Sequence, residues 1–90
     1  MAQNKTLHLT FYTKDCCHLC WEVKQTLCRL QRKFDFSFHE VDIVPDLELY
    51  ERYKNIIPVL SSNGQDRLWG RIEEGEIRQL LAGLKSSVKR

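Results

Sequence analysis

The stretch LHLTFYTKDCCHLC, residues 7–20, carries the strongest structural signal in this chain of 90 residues. Apolar and less apolar side chains alternate from Leu7 to Tyr12, which is the period of a strand with one apolar face. A helical pattern then starts at about Leu19 and runs to Leu30, with apolar residues at spacings of four, three and four. These residues are Val23, Leu27, Leu30 and Phe34. The stretch predicts a strand, then a helix, with two cysteines at their junction.

Cys17 and Cys20 stand at the predicted start of this helix. A helix start leaves backbone N–H groups without acceptors and carries roughly half a positive charge, so a cysteine there ionises more readily than a free one. Residues three apart on a helix have Cβ atoms roughly 5–6 Å apart, so the pair needs little movement to close a disulfide. Cys20 lies at the edge of the apolar stripe, and we expect it to be the more buried thiol. The spacing predicts a dithiol that cycles between reduced and oxidised forms.

The middle of the chain predicts a second strand and a short second helix. Aromatic and β-branched residues between Phe36 and Ile43 favour a strand, which ends near Pro45. The helix is predicted over residues 46–54, and Asn55 is placed to adopt a left-handed conformation at its end.

The last third of the chain predicts a hairpin and a closing helix. Asn63-Gly64 lies between two strand-like runs, the first opening at Ile57-Pro58, and this dipeptide favours a tight antiparallel turn. Apolar residues from Ile77 to Leu84 follow helical spacing, and residues 86–90 are predicted to be a frayed polar tail. The predicted order is β-α-β-α-β-β-α, an α/β fold with a mixed four-stranded sheet and flanking helices.

Composition limits the classes of function. Ninety residues with 42% hydrophobic content predict one domain over residues 1–90. A net charge of +2 is too mild to indicate nucleic-acid binding, and neither a leader pattern nor a membrane-length apolar run is present. Three of the four cysteines fall within residues 16–20, where disulfides would stabilise almost nothing, so reduced thiols with a chemical role fit better. We expect a soluble cytoplasmic monomer.

The run from Phe11 to Cys20 resembles the strand, lysine and dithiol of glutaredoxins, which have a thioredoxin-like fold. The resemblance extends across most of the chain. Asp42, residues 45–47 and residues 56–60 are similar to the layout of small glutaredoxin-like proteins, and Trp69-Gly70-Arg71 occupies the later glycine-containing corner. It implies a thiol-disulfide oxidoreductase without a bound cofactor. The implied partners are a thiol or disulfide protein or glutathione as co-substrate, and a reductase that recharges the dithiol.

The resemblance also implies individual roles. Cys17 would be the exposed nucleophile and Cys20 the resolving thiol that releases the mixed disulfide. Pro58 would follow a cis peptide bond, leaving the Ile57 backbone free to pair with an extended substrate. Lys14 matches a position that helps to hold the glutathione carboxylate.

The chain departs from familiar glutaredoxins at two places. His18 and Leu19 stand where proline and tyrosine are frequent, and Gly70 is a single glycine where a pair precedes an acidic residue. A cationic His18 would favour the Cys17 thiolate, whereas Asp15 opposes it, so the net effect stays open. The predicted substrate or glutathione contacts are Lys14, His18, Leu19, Ile57, Pro58 and Gly70.

Cys16 and Cys28 lie outside the predicted redox pair. Cys16 is interpreted as a capping-region residue or a secondary oxidation site, and Cys28 as a small hydrophobe on the helix flank beyond disulfide reach.

No second ligand pair completes a zinc site, so no metal is predicted. A glutathione-linked iron-sulfur cluster and a redox-inactive peptide-binding module remain alternatives. The physiological substrate, reduction potential and direction of electron flow stay open.

Overall fold

The computed structural model describes residues 7–88, with side chains described as far as Leu84. Its elements are β1 (Leu7–Thr13), α1 (His18–Leu30), β2 (Phe36–Asp42), α2 (Leu47–Tyr53), β3 (Val59–Ser62), β4 (Gln65–Trp69) and α3 (Glu74–Val88). This order confirms the predicted β-α-β-α-β-β-α succession. Between residues 7 and 88, no helix combines the length and apolar character needed to cross a membrane.

The four strands form one mixed sheet in the order β2-β1-β3-β4. β1 pairs in parallel with β2, in a register that runs from Leu7 opposite Phe36 to Thr13 opposite Asp42. β3 is antiparallel to both β1 and β4. β1 therefore has a partner on each side, and the two strand ends nearest the dithiol, at Thr13 and Asp42, lie next to each other.

Local sequence explains how the elements begin and turn. The side chain of Asp46 caps α2 by accepting a hydrogen bond from the Leu49 N–H at 3.2 Å. Asn63 and Gly64 have φ of 54° and 78°, the positive values that a tight hairpin turn requires. The predicted hairpin is thus confirmed.

Three boundary predictions were wrong. Positive φ values occur at Cys16 and Asn63 and at two glycines within the described residues, but not at Asn55, because α2 ends through Lys54 in a right-handed conformation. β3 begins at Val59 rather than at Ile57-Pro58. α3 continues to Val88, so residues 86–88 are helical rather than a frayed tail, and residues 89–90 lie outside the described part.

Apolar side chains cover both faces of the sheet. The larger cluster joins α1 and α3 to one face, and its fully buried members include Leu9, Phe11, Leu27, Leu60 and Ile77. The smaller cluster lies under α2 and consists of Ile43, Tyr53 and Val59. Tyr53 also stacks on Tyr12 at 4.4 Å and donates its hydroxyl to Asp66 at 3.0 Å, and its burial raises the pKa of the phenol.

Glu74 joins α3 to α1 across the surface. Its carboxylate accepts hydrogen bonds from Arg29 of α1 and from Arg78 of α3, the latter at 3.1 Å. These two hydrogen bonds lower the pKa of Glu74 below its ordinary value. A lowered pKa in the folded state stabilises the fold above the unfolded pKa of roughly 4.3, and this stabilisation is lost as the pH falls through the folded-state value.

We therefore expect Glu74→Gln to lower the free energy of unfolding at pH 7 and to have a shrinking effect as the pH falls below the unfolded pKa of roughly 4.3. Urea denaturation at several pH values measures this difference. Asp35→Asn, at an exposed position before β2, is the charge-matched control and should lower the free energy of unfolding at pH 7 by a smaller amount. Equal losses in the two variants at pH 7 would contradict the role of Glu74.

Leu27→Ala should lower the free energy of unfolding by about 2–5 kcal/mol, because it removes a fully buried side chain from the larger cluster. Cys28→Ala changes the neighbouring, exposed position and should change stability by less than about 0.5 kcal/mol. Denaturant unfolding of both variants is the measurement. Similar losses would show that α1 does not pack as described.

Candidate active site

The side chain of Cys17 caps the N-terminus of α1. Its backbone is extended, with φ of −106° and ψ of 105°, and its sulfur accepts a hydrogen bond from the Cys20 N–H at 3.2 Å. Cys16 comes just before it and has φ of 61°, which turns the chain between β1 and α1. The cap therefore places the Cys17 sulfur against the backbone N–H groups at the helix start.

Cys17 and Cys20 are joined by a disulfide, with their Cα atoms 5.2 Å apart. This Cα separation lies within the usual range for disulfides. Cys20 is 3% exposed and belongs to the larger apolar cluster, whereas Cys17 is half-buried. The prediction that Cys20 is the more buried member is confirmed.

A shallow cleft of about 190 Å³, which we call the dithiol cleft, opens beside this pair. Its lining residues are Thr13, Lys14, Asp15, Cys16, Cys17, Cys20, Trp21, Lys24 and Glu40. Lys24 of α1 and Glu40 of β2 form an ion pair at 3.0 Å on its wall, and the hydrogen bond to Glu40 raises the pKa of Lys24. Trp21 is 60% exposed. The cleft thus combines the reactive pair with charges of both signs and one exposed aromatic ring.

Lys14 also borders a second, more apolar depression on the α2 side of the sheet. Val44, Pro45, Leu47 and Tyr50 line this depression with Lys14. Val44 and Leu47 are 54% and 74% exposed, which is high for aliphatic side chains. The side chain of Asp42 shapes the loop by accepting the Val44 N–H at 3.0 Å. Lys14 therefore connects the dithiol cleft to an apolar surface.

The loop before β3 contains a cis peptide bond between Ile57 and Pro58, as the resemblance implied. The Gly70 N–H donates to the carbonyls of Ile56 and Pro58, both at 2.9 Å, and Gly70 has φ of 79°. A left-handed residue at this corner favours glycine. The corner after β4 is therefore fastened directly to the cis-proline loop.

The prediction that the Ile57 backbone is free was wrong for its N–H. This group donates to the Tyr53 carbonyl at 3.1 Å, because the chain continues the last turn of α2 into the loop. The Ile57 side chain is half-buried and packs against both apolar clusters, and Cys17 packs against the larger one.

His18 and Leu19, the two residues between the cysteines, do not line the dithiol cleft. The His18 side chain is 80% exposed and its Nε2 lies 2.9 Å from the Glu22 carboxylate, one turn along α1. Leu19 is half-buried. Neither lines the dithiol cleft, so of the predicted site residues the cleft contains Lys14, Cys17 and Cys20.

Sequence reasoning missed the contribution of β2 to this site. Glu40 comes to the cleft because β2 pairs in parallel with β1, opposite Phe11, and its side chain faces α1. The signal was present in the predicted strand-helix-strand unit, which places the ends of two parallel strands side by side. Cys28 is free and exposed, which agrees with its predicted position outside disulfide reach, and Cys16 is free and exposed as well.

Comparison with known proteins agrees with this geometry. The model of the family described as Glutaredoxin-like domain (DUF836) matches residues 8–82. The chain belongs to this glutaredoxin-like family. Its fold is the thioredoxin fold, and the disulfide-forming pair Cys17 and Cys20 lies at the start of α1.

Solved structures similar to this glutaredoxin-like chain include two bacterial proteins. Protein Ne2328 from Nitrosomonas europaea is 26% identical, with a TM-score of 0.74 over 90% of this chain and 98% of that protein. Protein XcR50 from X. campestris is 28% identical, with a TM-score of 0.70 over 83% and 96% of the two chains. A mutant thioredoxin from Halobacterium salinarum NRC-1 is 20% identical, with a TM-score of 0.64 over 86% and 73%, and shows the shared fold.

After reduction, a small alkylating reagent should modify Cys17 and Cys28 in the native protein much faster than Cys20. Burial in the apolar cluster protects the Cys20 thiol, whereas Cys17 is half-buried and Cys28 is exposed. Timed alkylation followed by peptide mass spectrometry measures the three rates. Equal rates for Cys20 and Cys28 would contradict this arrangement, and the denatured protein is the control in which protection should vanish.

Proposed function

We propose that this glutaredoxin-like protein is a thiol-disulfide oxidoreductase, with Cys17 as nucleophile and Cys20 as resolving thiol. The observation that carries the proposal is the cap of α1: the sulfur of the half-buried Cys17 accepts a hydrogen bond from the Cys20 N–H, while the Cys20 side chain is buried in the larger apolar cluster. Backbone N–H groups and the helix dipole favour a thiolate at such a position.

The reaction transfers two electrons in two exchange steps. The Cys17 thiolate attacks one sulfur of the substrate disulfide, so that a mixed disulfide forms and the substrate S–S bond breaks. The first substrate sulfur leaves as a thiolate and then takes up a proton from water. Cys20, once deprotonated, then attacks the Cys17 sulfur. The Cys17–Cys20 disulfide forms, and the second substrate thiol is released. Two thiols from glutathione or from a reductase return the pair to the dithiol state.

The dithiol cleft favours a disulfide carried on a protein. Its volume of about 190 Å³ is below the roughly 300–1,000 Å³ typical of small-molecule pockets, and it can admit a single side chain while the partner stays outside. We propose that Lys14 contacts an acidic group of the partner or the glutathione carboxylate. The remaining proposed contacts are His18, Leu19, Ile57, Pro58 and Gly70. We place this activity in a monomer in the cytoplasm, where thiols are kept reduced.

Replacing either cysteine should separate the two exchange steps. Cys17→Ser should abolish reduction of a model protein disulfide, because the attacking sulfur is lost. Cys20→Ser should stop dithiol turnover and accumulate a mixed disulfide on Cys17. Intact mass and peptide mapping under native quench conditions detect the adduct.

The control is Cys28→Ser, an exposed position on a later turn of α1, which should keep full turnover. Unchanged turnover in Cys17→Ser would reject the assignment. In parallel, equilibration of the unmodified protein in glutathione redox buffers should give a reversible Cys17–Cys20 disulfide. Thiols that stay inert across these buffers would instead support a redox-inactive binding module.

A further inference from the structure

Two histidines meet on the sheet face opposite α1, away from the dithiol. His8 of β1 and His39 of β2 lie on adjacent parallel strands, and the register sets His8 beside Ser37. All three side chains face the side on which α2 packs. α2 covers Tyr12 at the other end of β1, whereas His8 and His39 are exposed.

The two imidazole rings present nitrogen atoms to each other. His8 Nε2 lies 2.7 Å from His39 Nδ1, and the rings are inclined by only 21° with centroids 4.8 Å apart. A nitrogen separation of 2.7 Å is too short for contact between stacked faces, so the rings meet edge to edge. The two nitrogens lie within hydrogen-bond distance of each other, and each can offer a lone pair to a metal ion in the tautomer in which it carries no proton.

We propose that His8 and His39 form a surface site for a divalent transition-metal ion, with Cu²⁺ as the preferred ion. Bonds of about 2.0–2.1 Å to each nitrogen require the two nitrogens to lie about 2.9–3.4 Å apart at right-angle to tetrahedral geometry. Metal binding therefore requires the 2.7 Å separation to widen by about 0.2–0.7 Å and both exposed rings to rotate, so that each lone pair turns from the facing nitrogen toward the metal. The backbone register already fixes the two strands that carry them.

Ser37 supports the ligand role of His8. Its Oγ lies 2.8 Å from His8 Nδ1, so a proton on Nδ1 can be donated to the hydroxyl while Nε2 keeps its lone pair for the metal. Such a hydrogen bond orients the ring and fixes the tautomer. His8 and His39 are thus two imidazole ligands, one of which has a partner of the kind that metal-binding histidines use.

The ligand set selects the ion. Within the described residues, no group of three or more histidine, cysteine or acidic side chains is placed to hold a metal, so water would complete the coordination. Two imidazoles without thiolate or carboxylate disfavour Ca²⁺, Mg²⁺ and Cu⁺, and among the divalent ions Cu²⁺ binds nitrogen ligands most strongly. His39 adjoins Glu40 of the dithiol cleft in the chain, but consecutive side chains of a strand point to opposite faces of the sheet, so the histidine site and the cleft lie on different faces.

The test uses the full chain with Cys16→Ser and Cys28→Ser and an intact Cys17–Cys20 disulfide, so that no thiol binds or reduces the metal. Cu²⁺ alone is titrated in the presence of a weak competitor and followed by calorimetry and by electron paramagnetic resonance. We expect one equivalent with nitrogen hyperfine coupling. His8→Gln and His39→Gln should each weaken binding at least about tenfold, and Ser37→Ala should weaken it by a smaller factor.

His18→Gln is the matched control, because His18 is the third histidine of the chain and lies on α1 beside Glu22. It should leave the affinity unchanged. Circular dichroism measures whether each variant is folded. We expect the histidine variants to fold, because the replaced side chains are exposed. Equal loss in all three histidine variants, an unchanged affinity in His8→Gln, or the lack of a saturable first equivalent would each overturn the site.

Discussion

The hydrogen bond from the Cys20 N–H to the Cys17 sulfur is the constraint on which the site depends. It makes Cys17, the proposed nucleophile, the cap of α1, so the start of the helix also determines the position of the Cys17 sulfur. The same turn of helix directs Cys20 into the apolar cluster with Val23 and Leu27. Packing of α1 against the sheet therefore fixes which thiol is accessible and which is buried.

The spacing of apolar residues predicted the strands and helices because the regularly spaced apolar positions are the ones that become buried. Leu9 and Phe11 face one side of β1, and Val23 and Leu27 face the sheet from α1, as their spacing indicated. The Asn63-Gly64 turn was equally predictable, since positive φ at two consecutive residues restricts the choice of side chain. In these segments, local sequence preferences and burial in the apolar core favour the same structure.

The features that were missed or wrongly predicted depend on contacts that a local sequence pattern does not encode. The Ile57 N–H is occupied because the chain leaves α2 with one more helical hydrogen bond to Tyr53, and that choice also removes the need for a left-handed Asn55. Glu40 and Lys24 meet only because β2 folds back beside β1.

Within residues 7–88, β2 is an edge strand of the sheet, so one row of its backbone N–H and C=O groups has no neighbouring strand there. An unprotected edge of this kind can recruit the strand of another molecule and start aggregation. The C-terminal half of β2 carries the exposed residues His39, Glu40 and Asp42, and the carboxylate of Glu40 forms an ion pair with Lys24. Another chain that added to this edge would have to bury or displace those charges. The ion pair on the wall of the dithiol cleft thereby also discourages self-association of the sheet.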